Sequence, residues 1–506
     1  MTNKEAVQTM QATLDLKQIA TTALGTADYR LLIDGQWRDA DHGATFPVIN
    51  PATGDLLAQI PDAGASETQA AIAAAAAALP GWAATPAQTR ADLLRRVAAL
   101  MIDRRERLAT IMTLEQGKPL SESRGEITYA ASFLSWFAGE AERVYGQIVP
   151  ASAPNKRIFV LRQPVGVAVM ITPWNFPAAM LTRKLGPALA AGCPVICKPA
   201  EQTPLSALEL GKLFTEAGFP PGVVNLITCS DPIPFSDVVF ADERVRKISF
   251  TGSTEVGQLL IRQSAATVKR VSLELGGNAP FIVFADADLP AAINGALASK
   301  FRNAGQTCVC ANRIFVQRGI YQQFAEAFTK AVATLKVGNG LAPDTLIGPL
   351  IDLNARAKVE RHLGDATSRG ASVLIGGQPW DSPLNKTGTF WLPTVLADAT
   401  SDMVVAHEET FGPIAPLIAF DEEDEVIATA NDTVFGLSAY FYTRDVNRVM
   451  RVAERLEYGI IGANDGLPST AQAPFGGMKH SGLGREGGAF GIDEYLEVKY
   501  VSLGLS

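Results

Sequence analysis

From Gly166 onward the chain alternates short apolar runs with helix-like segments, and this alternation constrains the fold more tightly than any other feature. Gly166–Thr172 reads as a continuous apolar strand and Ala178–Ala190 as a helix. Pro194–Lys198 is a strand, Ser206–Ala217 a helix and Val223–Ile227 a strand, and then come a strand at Lys247–Phe250 and a helix at Thr254–Ser264. Strands that are apolar on both faces and separated by helices indicate a parallel sheet covered on both sides. A second such series runs from Phe281 to about Ala430, so the class is α/β. At 506 residues the chain is too long for one hydrophobic core, and two or three domains are expected.

Upstream of the alternation the pattern is helical. Ser66-Glu67-Thr68-Gln69 has the capping-box spacing ahead of an alanine-rich helix at about 67–79. Leu93, Leu94, Val97, Leu100 and Met101 share one side of a long helix at about 87–116, and a third helix runs from about 121 to 144. Leu31–Trp37 reads as a short strand with a turn. Val7, Met10, Leu14 and Ile19 recur at roughly helical spacing in an N-terminal arm, residues 1–28. Two segments stand outside the scheme. Arg157–Gln163 reads as part of a projecting hairpin. At the C-terminus Leu496, Val498 and Tyr500 alternate with Glu497 and Lys499, as in a half-buried strand. An exposed strand edge needs a partner, and a homo-oligomer is the simple answer.

Net charge is −8 and no Lys/Arg run offsets it, so neither nucleic acid nor an anionic membrane is expected as a partner. The most apolar stretch, Ala70 to Ala84, is broken by Pro80-Gly81 and is too short to span a bilayer. Residues 1–28 lack arginine and an apolar signal core, which argues against a targeting segment. Cys193, Cys197, Cys229, Cys308 and Cys310 do not form a disulfide framework, and the four scattered histidines complete no metal-ligand spacing. A reducing, cytoplasmic location and no metal are expected.

The chemistry lies in a few loops. Cys308 sits in a polar run with Asn303, Gln306 and Thr307 nearby, and upstream Glu274 opens the Gly-rich turn Glu274-Leu275-Gly276-Gly277-Asn278. A thiol and a carboxylate suit two-step acyl chemistry, the thiolate attacking a carbonyl and the carboxylate later activating water. Thr172-Pro173-Trp174-Asn175 follows a strand, where a rigid Asn175 amide can donate to an oxyanion. Lys198 and Glu201 follow another strand, within reach of ribose hydroxyls. Gly252 and Ser253 lie at a strand-to-helix junction, where a pyrophosphate can approach backbone N–H groups. Each motif alone also fits an ordinary turn, a solvated ion pair or a buried inert thiol.

Together with Glu409–Pro413 and Pro474–Gly487, and in this order, these segments resemble the aldehyde dehydrogenase superfamily from about Tyr29 to Leu505. Phe301–Cys310 and Ala473–Gly487 are most similar to succinate-semialdehyde dehydrogenases. The resemblance implies an aldehyde dehydrogenase-like fold. It has a Rossmann-like dinucleotide-binding domain (29–146 and 166–276), an α/β catalytic domain (277–478) and a β oligomerisation arm (147–165 and 479–506). It implies Cys308 as nucleophile, Glu274 as general base, and Asn175 with the Cys308 N–H as oxyanion hole. It places Thr172, Pro173, Trp174, Lys198, Glu201, Gly252, Ser253, Glu409 and Phe411 at the cofactor. Arg183, Arg302 and Ser469 would hold a distal carboxylate of the substrate. NAD is expected in preference to NADP, because Glu201 would oppose a 2′-phosphate. The implied assembly is a homodimer or homotetramer. Some members carry a redox-sensitive pair matching Cys308 and Cys310. Two departures stand out: Cys229–Pro234 lacks the usual glycines, and Pro468 adjoins Ser469. Glutarate or adipate semialdehyde, or an aromatic aldehyde, are alternative substrates. A cofactor-independent cysteine hydrolase is the rival in another reaction class.

Overall fold

The computed structural model describes residue 16, residues 18–25 and residues 28–506. Residues 18–24 are helical, while Val7, Met10 and Leu14 of the expected arm lie outside the described residues.

Five parallel strands form the centre of an eight-stranded sheet, in the order Arg270–Glu274, Val245–Thr251, Val167–Ile171, Val195–Lys198 and Val224–Leu226. Antiparallel strands close both edges. Gly482–Leu483 pairs with Arg270–Glu274, and Leu31–Ile33 followed by Gln36–Arg38 closes the other side. The central strands are buried on both faces because helices such as Ala179–Ala191 and Pro204–Ala217 cover them.

A second, seven-stranded sheet runs Ser372–Ile375, Thr394–Ala397, Ile414–Phe420, Ala311–Gln317, Ala279–Val283, Ser438–Tyr442 and Ile460–Ala463. All its pairings are parallel except that of Ser372–Ile375 with Thr394–Ala397. A third, antiparallel sheet joins Gln147–Val149, Lys156–Pro164 and Leu496–Gly504. Of the C-terminal segment only Leu496–Gly504 enters it, since Gly482–Leu483 belongs to the first sheet. Thr45–Ile49 and Leu56–Pro61 form a hairpin with no counterpart in the sequence reading.

The helical region differs from expectation in two places. The expected helix at 87–116 is two helices, Ala87–Asp103 and Arg105–Gln116, broken at Arg104 (φ −101°, ψ 17°). Asp103–Arg107 is charged throughout and offers no apolar side chain to carry the stripe across. The second helix is buried all round from Leu108 to Gln116 and turns inward. The capping box also lies two residues earlier than expected. The alanine-rich helix spans Ala65–Ala84, and the Glu67 carboxylate reaches back to the Gly64 N–H (2.8 Å). Gly64 fills the cap position because its extended backbone, not a side-chain oxygen, is what the junction uses.

The two large sheets face each other end to end. Asn175, Glu201, Gly252 and Glu274 lie at or just beyond the C-terminal ends of parallel strands of the first sheet. Asn278, Cys310 and Phe411 shortly precede the starts of strands of the second. Loop ends from both sheets therefore converge on one region, where open parallel sheets bind ligands.

Glu67 is buried and its two oxygens accept from the Gly64 and Asp41 N–H groups. Glu67→Ala leaves both donors without a partner and should cost about 1–3 kcal/mol. A lower urea midpoint checks this, and Glu67→Gln should recover part of the loss.

Candidate active site

Cys308 follows a turn that the backbone would not adopt unaided. Asn303 (φ 52°), Ala304 (φ 54°) and Gly305 (φ 75°) are consecutive left-handed residues. Gly305 is obligatory, since a Cβ there would lie 2.3 Å from the Gly412 carbonyl oxygen. Side-chain bonds hold the turn in place. The Gln116 amide donates to Asn303 Oδ1 (2.9 Å), the Asn303 N–H donates to Glu122 (2.8 Å), and Asn303 Nδ2 donates to the Asn175 carbonyl (3.1 Å). Strain of this kind persists only where the surroundings over-determine it.

Asn175 is drawn to the same turn. Its Nδ2 donates to the Gln306 carbonyl (3.1 Å), which leaves its second N–H for another acceptor. Its own carbonyl accepts from buried Lys118 (2.6 Å), which is paired with Glu126 (2.6 Å). On the opposite side the Glu274 loop touches Cys308. A Cβ on Gly277 would lie 2.3 Å from the Cys308 carbonyl oxygen, so only glycine fits.

Two cavities meet at Cys308. The first, about 380 Å³, is lined by Trp174, Asn175, Gly252, Ser253, Glu409 and Phe411 among others. The rings of Trp174 and Phe411 meet edge to face at 5.4 Å. Ser253 caps the helix Thr254–Ala265 at this wall, with its hydroxyl accepting from the Val256 N–H (3.3 Å). A Cβ on Gly252 would strike the Phe250 ring at 2.3 Å. A bare backbone beside a helix N-terminus fits a pyrophosphate, and the carboxylate and aromatic walls fit a ribose and a flat ring. Glu201 lies in an adjoining cleft of about 720 Å³ with Gln202 and Ser230, and Ile351, Asp352 and Asn354 line both spaces. Pro173 lines the first cavity, whereas Thr172 and Lys198 line neither space. Lys198 Nζ lies 3.5 Å from Glu201.

The second cavity, about 340 Å³, brings together Arg183, Arg302, Ser469, Phe176, Phe475 and Glu122. Its two arginines differ. Arg183 is buried, its Nε is paired with Glu486, its guanidinium stacks 4.0 Å over Phe475, and its Nη2 has no partner. Arg302 lies 5.2 Å over Phe176 and has no hydrogen bond or ion pair among the described residues.

Burial governs the titrating groups. The Cys308 thiol is pushed up to about 12 by desolvation, against the pull of Arg183. Glu274 is held well above the usual carboxylate range by burial and by neighbouring Glu486, and its Oε2 has no hydrogen bond. Burial raises Glu409 to about 7 although Oε1 accepts from the Gly277 N–H (3.0 Å). The Cys308 thiol therefore holds its proton at neutral pH, and burial favours the protonated form of Glu274 as well.

Cys310 lines neither cavity that meets at Cys308. It is buried, and its thiol donates to the Lys300 carbonyl (3.2 Å). The sequence reading gave no role to Glu486, which binds both Arg183 and Lys184, nor to Gln116, Lys118, Glu122 and Glu126. Glu486 lay within a quoted motif. The other four lie at the end of one helix, in the turn after it and in the start of the next helix, where polar and charged side chains ordinarily face water, so no local signal marked them.

The aldehyde dehydrogenase family profile matches residues 37–501. Relatives include the NADP(+)-named succinate-semialdehyde dehydrogenase of Escherichia coli, 56% identical over 94% of this chain and 97% of its own length. A glutarate-semialdehyde dehydrogenase of Pseudomonas aeruginosa is 56% identical over 93% and 97%. The crystal structure of succinate-semialdehyde dehydrogenase from Burkholderia pseudomallei superposes with a TM-score of 0.92 at 54% identity, covering 94% of this chain and 98% of that one.

Gly305→Ala should force the turn away from Gly412 and displace Cys308. Activity should fall at least about tenfold, the equivalent of only ~1.4 kcal/mol of lost alignment. Titration of Cys308 with a thiol reagent, with and without cofactor, checks whether the sulfur has moved.

Proposed function

Because this chain is an NAD(P)-dependent enzyme of the aldehyde dehydrogenase family, we propose that it oxidises a short aldehyde bearing a remote carboxylate, succinate semialdehyde to succinate foremost. The observation that carries the carboxylate is Arg302, a guanidinium without an ion-pair partner in a small cavity that also reaches Cys308. A carboxylate would complete it with charge-assisted bonds, and Ser469 and Arg183 Nη2 offer further donors. Glutarate semialdehyde, one carbon longer, is the second reading, since a relative of equal identity is named for it.

In this reading Cys308 gives up its proton, through deprotonated Glu274 to solvent, and the thiolate adds to the aldehyde carbon. The oxyanion accepts from Asn175 Nδ2 and the Cys308 N–H. When bound, the oxidised nicotinamide dinucleotide accepts the hydride. Gly252 and Ser253 would hold its pyrophosphate, Glu409 a ribose, Phe411 and Trp174 the nicotinamide ring, and Lys198 and Glu201 the adenosine ribose. Loss of hydride leaves a thioester on Cys308. Deprotonated Glu274 then takes a proton from water as the water attacks, and the acid and thiol are released. The Gln147–Val149, Lys156–Pro164 and Leu496–Gly504 sheet is proposed as the oligomerisation arm, because Ile148, Val498, Tyr500 and Leu503 are exposed on it.

Arg302→Ala is the clean test of the substrate, whereas Arg183→Ala would also strip Glu486 of a partner. Arg302→Ala should raise KM for succinate semialdehyde by roughly one to two orders of magnitude, given ~1.5–3 kcal/mol for a charged hydrogen bond. An uncharged aldehyde of similar length should change little, and equal losses on both would make the arginine structural. Deacylation, timed after acylation is complete, should accelerate as pH rises through the raised Glu274 pKa. Glu274 keeps its proton below its raised pKa and serves as a base only above it. Glu274→Gln should remove that dependence and slow the step by about 10²–10⁴-fold. NAD should give the higher kcat/KM, because the Glu201 carboxylate opposes a 2′-phosphate. A ratio favouring NADP would reverse the assignment.

A further inference from the structure

The substrate cavity contains a carboxylate that the chemistry above does not use. Glu122 sits in the first turn of the helix Leu120–Ala141 and lines the cavity with Arg302, Arg183, Ser469 and Cys308. Its Oε2 accepts from the Asn303 N–H at 2.8 Å, so the side chain is fixed against the turn that carries Arg302. Its other oxygen makes no hydrogen bond among the described residues.

The charged groups around Glu122 are mostly committed elsewhere. Lys118, just ahead of the helix, is bound to Glu126 and to the Asn175 carbonyl, each at 2.6 Å. Glu126, one turn along, spends its other oxygen on the Ala178 and Ala179 N–H groups. Arg183, from the helix Ala179–Ala191, is held by Glu486. Tyr129, on the same helix as Glu122, also lines the wall, and burial raises its phenol above the ordinary value, so it stays neutral across the range tested, while Leu467, Ser469 and Phe475 bring no titratable group. Arg302 is therefore the one uncommitted cation among these residues, and both Glu122 and an incoming carboxylate would draw on it. Two carboxylates around one guanidinium in a small cavity repel each other unless one is neutral.

We propose that Glu122 is a specificity-determining residue: it takes up a proton from solvent when a carboxylate substrate binds, and its charge sets how strongly the cavity prefers anionic over uncharged aldehydes. This rests on the reading that the substrate carboxylate binds at Arg302. Burial raises the Glu122 carboxyl to about 7, opposed by Lys118, by the Asn303 hydrogen bond and by Arg302. Near neutrality the group is thus poised between its two forms. Below that point the cavity presents the full charge of Arg302, and above it Glu122 cancels that charge.

The test compares kcat/KM for succinate semialdehyde with kcat/KM for methyl 4-oxobutanoate, its uncharged ester, between about pH 6 and pH 9, where the substrate carboxyl stays ionised. Taking the ratio cancels the titrations of Cys308 and Glu274, which both aldehydes share. In the wild type the ratio should fall roughly tenfold as pH rises, the equivalent of a one-unit rise in the Glu122 pKa on anion binding. In Glu122→Gln, which keeps an acceptor for the Asn303 N–H, the ratio should stay flat and near its wild-type acidic value. A pH-independent ratio in the wild type overturns the proposal, even if the variant does not fold. An unchanged slope in Glu122→Gln overturns it too. Arg302→Ala separates the two levels. If it leaves the ratio unchanged, the carboxylate reading itself fails. If it lowers the ratio while Glu122→Gln keeps the wild-type slope, only the role of Glu122 fails.

Discussion

The structure depends on a close approach between two loops that start from different sheets. Gly277 has no side chain, and the Cys308 carbonyl occupies the space where one would be. This interlock sets the loop of Glu274, which ends a strand of the first sheet, against the turn of Cys308, which leads into a strand of the second. The left-handed run Asn303–Gly305 supplies the curvature that the turn needs, and Gln116, Glu122 and Asn175 hold it there. Much of the site's precision therefore comes from backbone shape and from side chains such as Gln116 that line neither cavity.

Those groups are expensive to bury. Arg183, Lys184, Glu274 and Glu486 are all enclosed, as are Lys118 and Glu126. Buried charges are tolerable only in pairs with further hydrogen bonds, and removing one partner of such a pair leaves the other uncompensated, a loss of about 3–5 kcal/mol. Glu486 meets that condition by binding both Arg183 and Lys184, and Glu126 by binding Lys118 and two helix N-terminal N–H groups. Glu274 has no such partner at Oε2, and burial favours its protonated form. Arg302 is the complementary case, an unpaired cation in a cavity that would take an anion.

Much of this was legible in the sequence because it is local. The apolar runs at Val167–Ile171 and Val195–Lys198 and the helices between them follow from periodicity, and their ends fall within a residue or two of expectation. The loops bearing Asn175, Gly252, Glu274 and Cys308 were marked by residue type and order. What sequence could not show is tertiary. The break at Arg104 follows from how the next helix is enclosed, and the hairpin of Thr45–Ile49 and Leu56–Pro61 from pairing across a turn with weak alternation. That Arg183 is engaged with Glu486 while Arg302 is not depends on residues about 300 positions apart meeting in space. Glu122 carried no signal at all, because an acidic side chain in a first helical turn is ordinarily a solvent-facing one.

The central claim is that Cys308 carries the acyl group and Glu274 releases it. Mass spectrometry of Glu274→Gln, mixed with NAD and succinate semialdehyde and then digested, tests this most directly. The account predicts a near-stoichiometric acyl adduct on the peptide containing Cys308, removable by hydroxylamine as a thioester should be. A Glu274→Gln enzyme that turns over freely with no adduct, or an adduct on a residue other than Cys308, would contradict it.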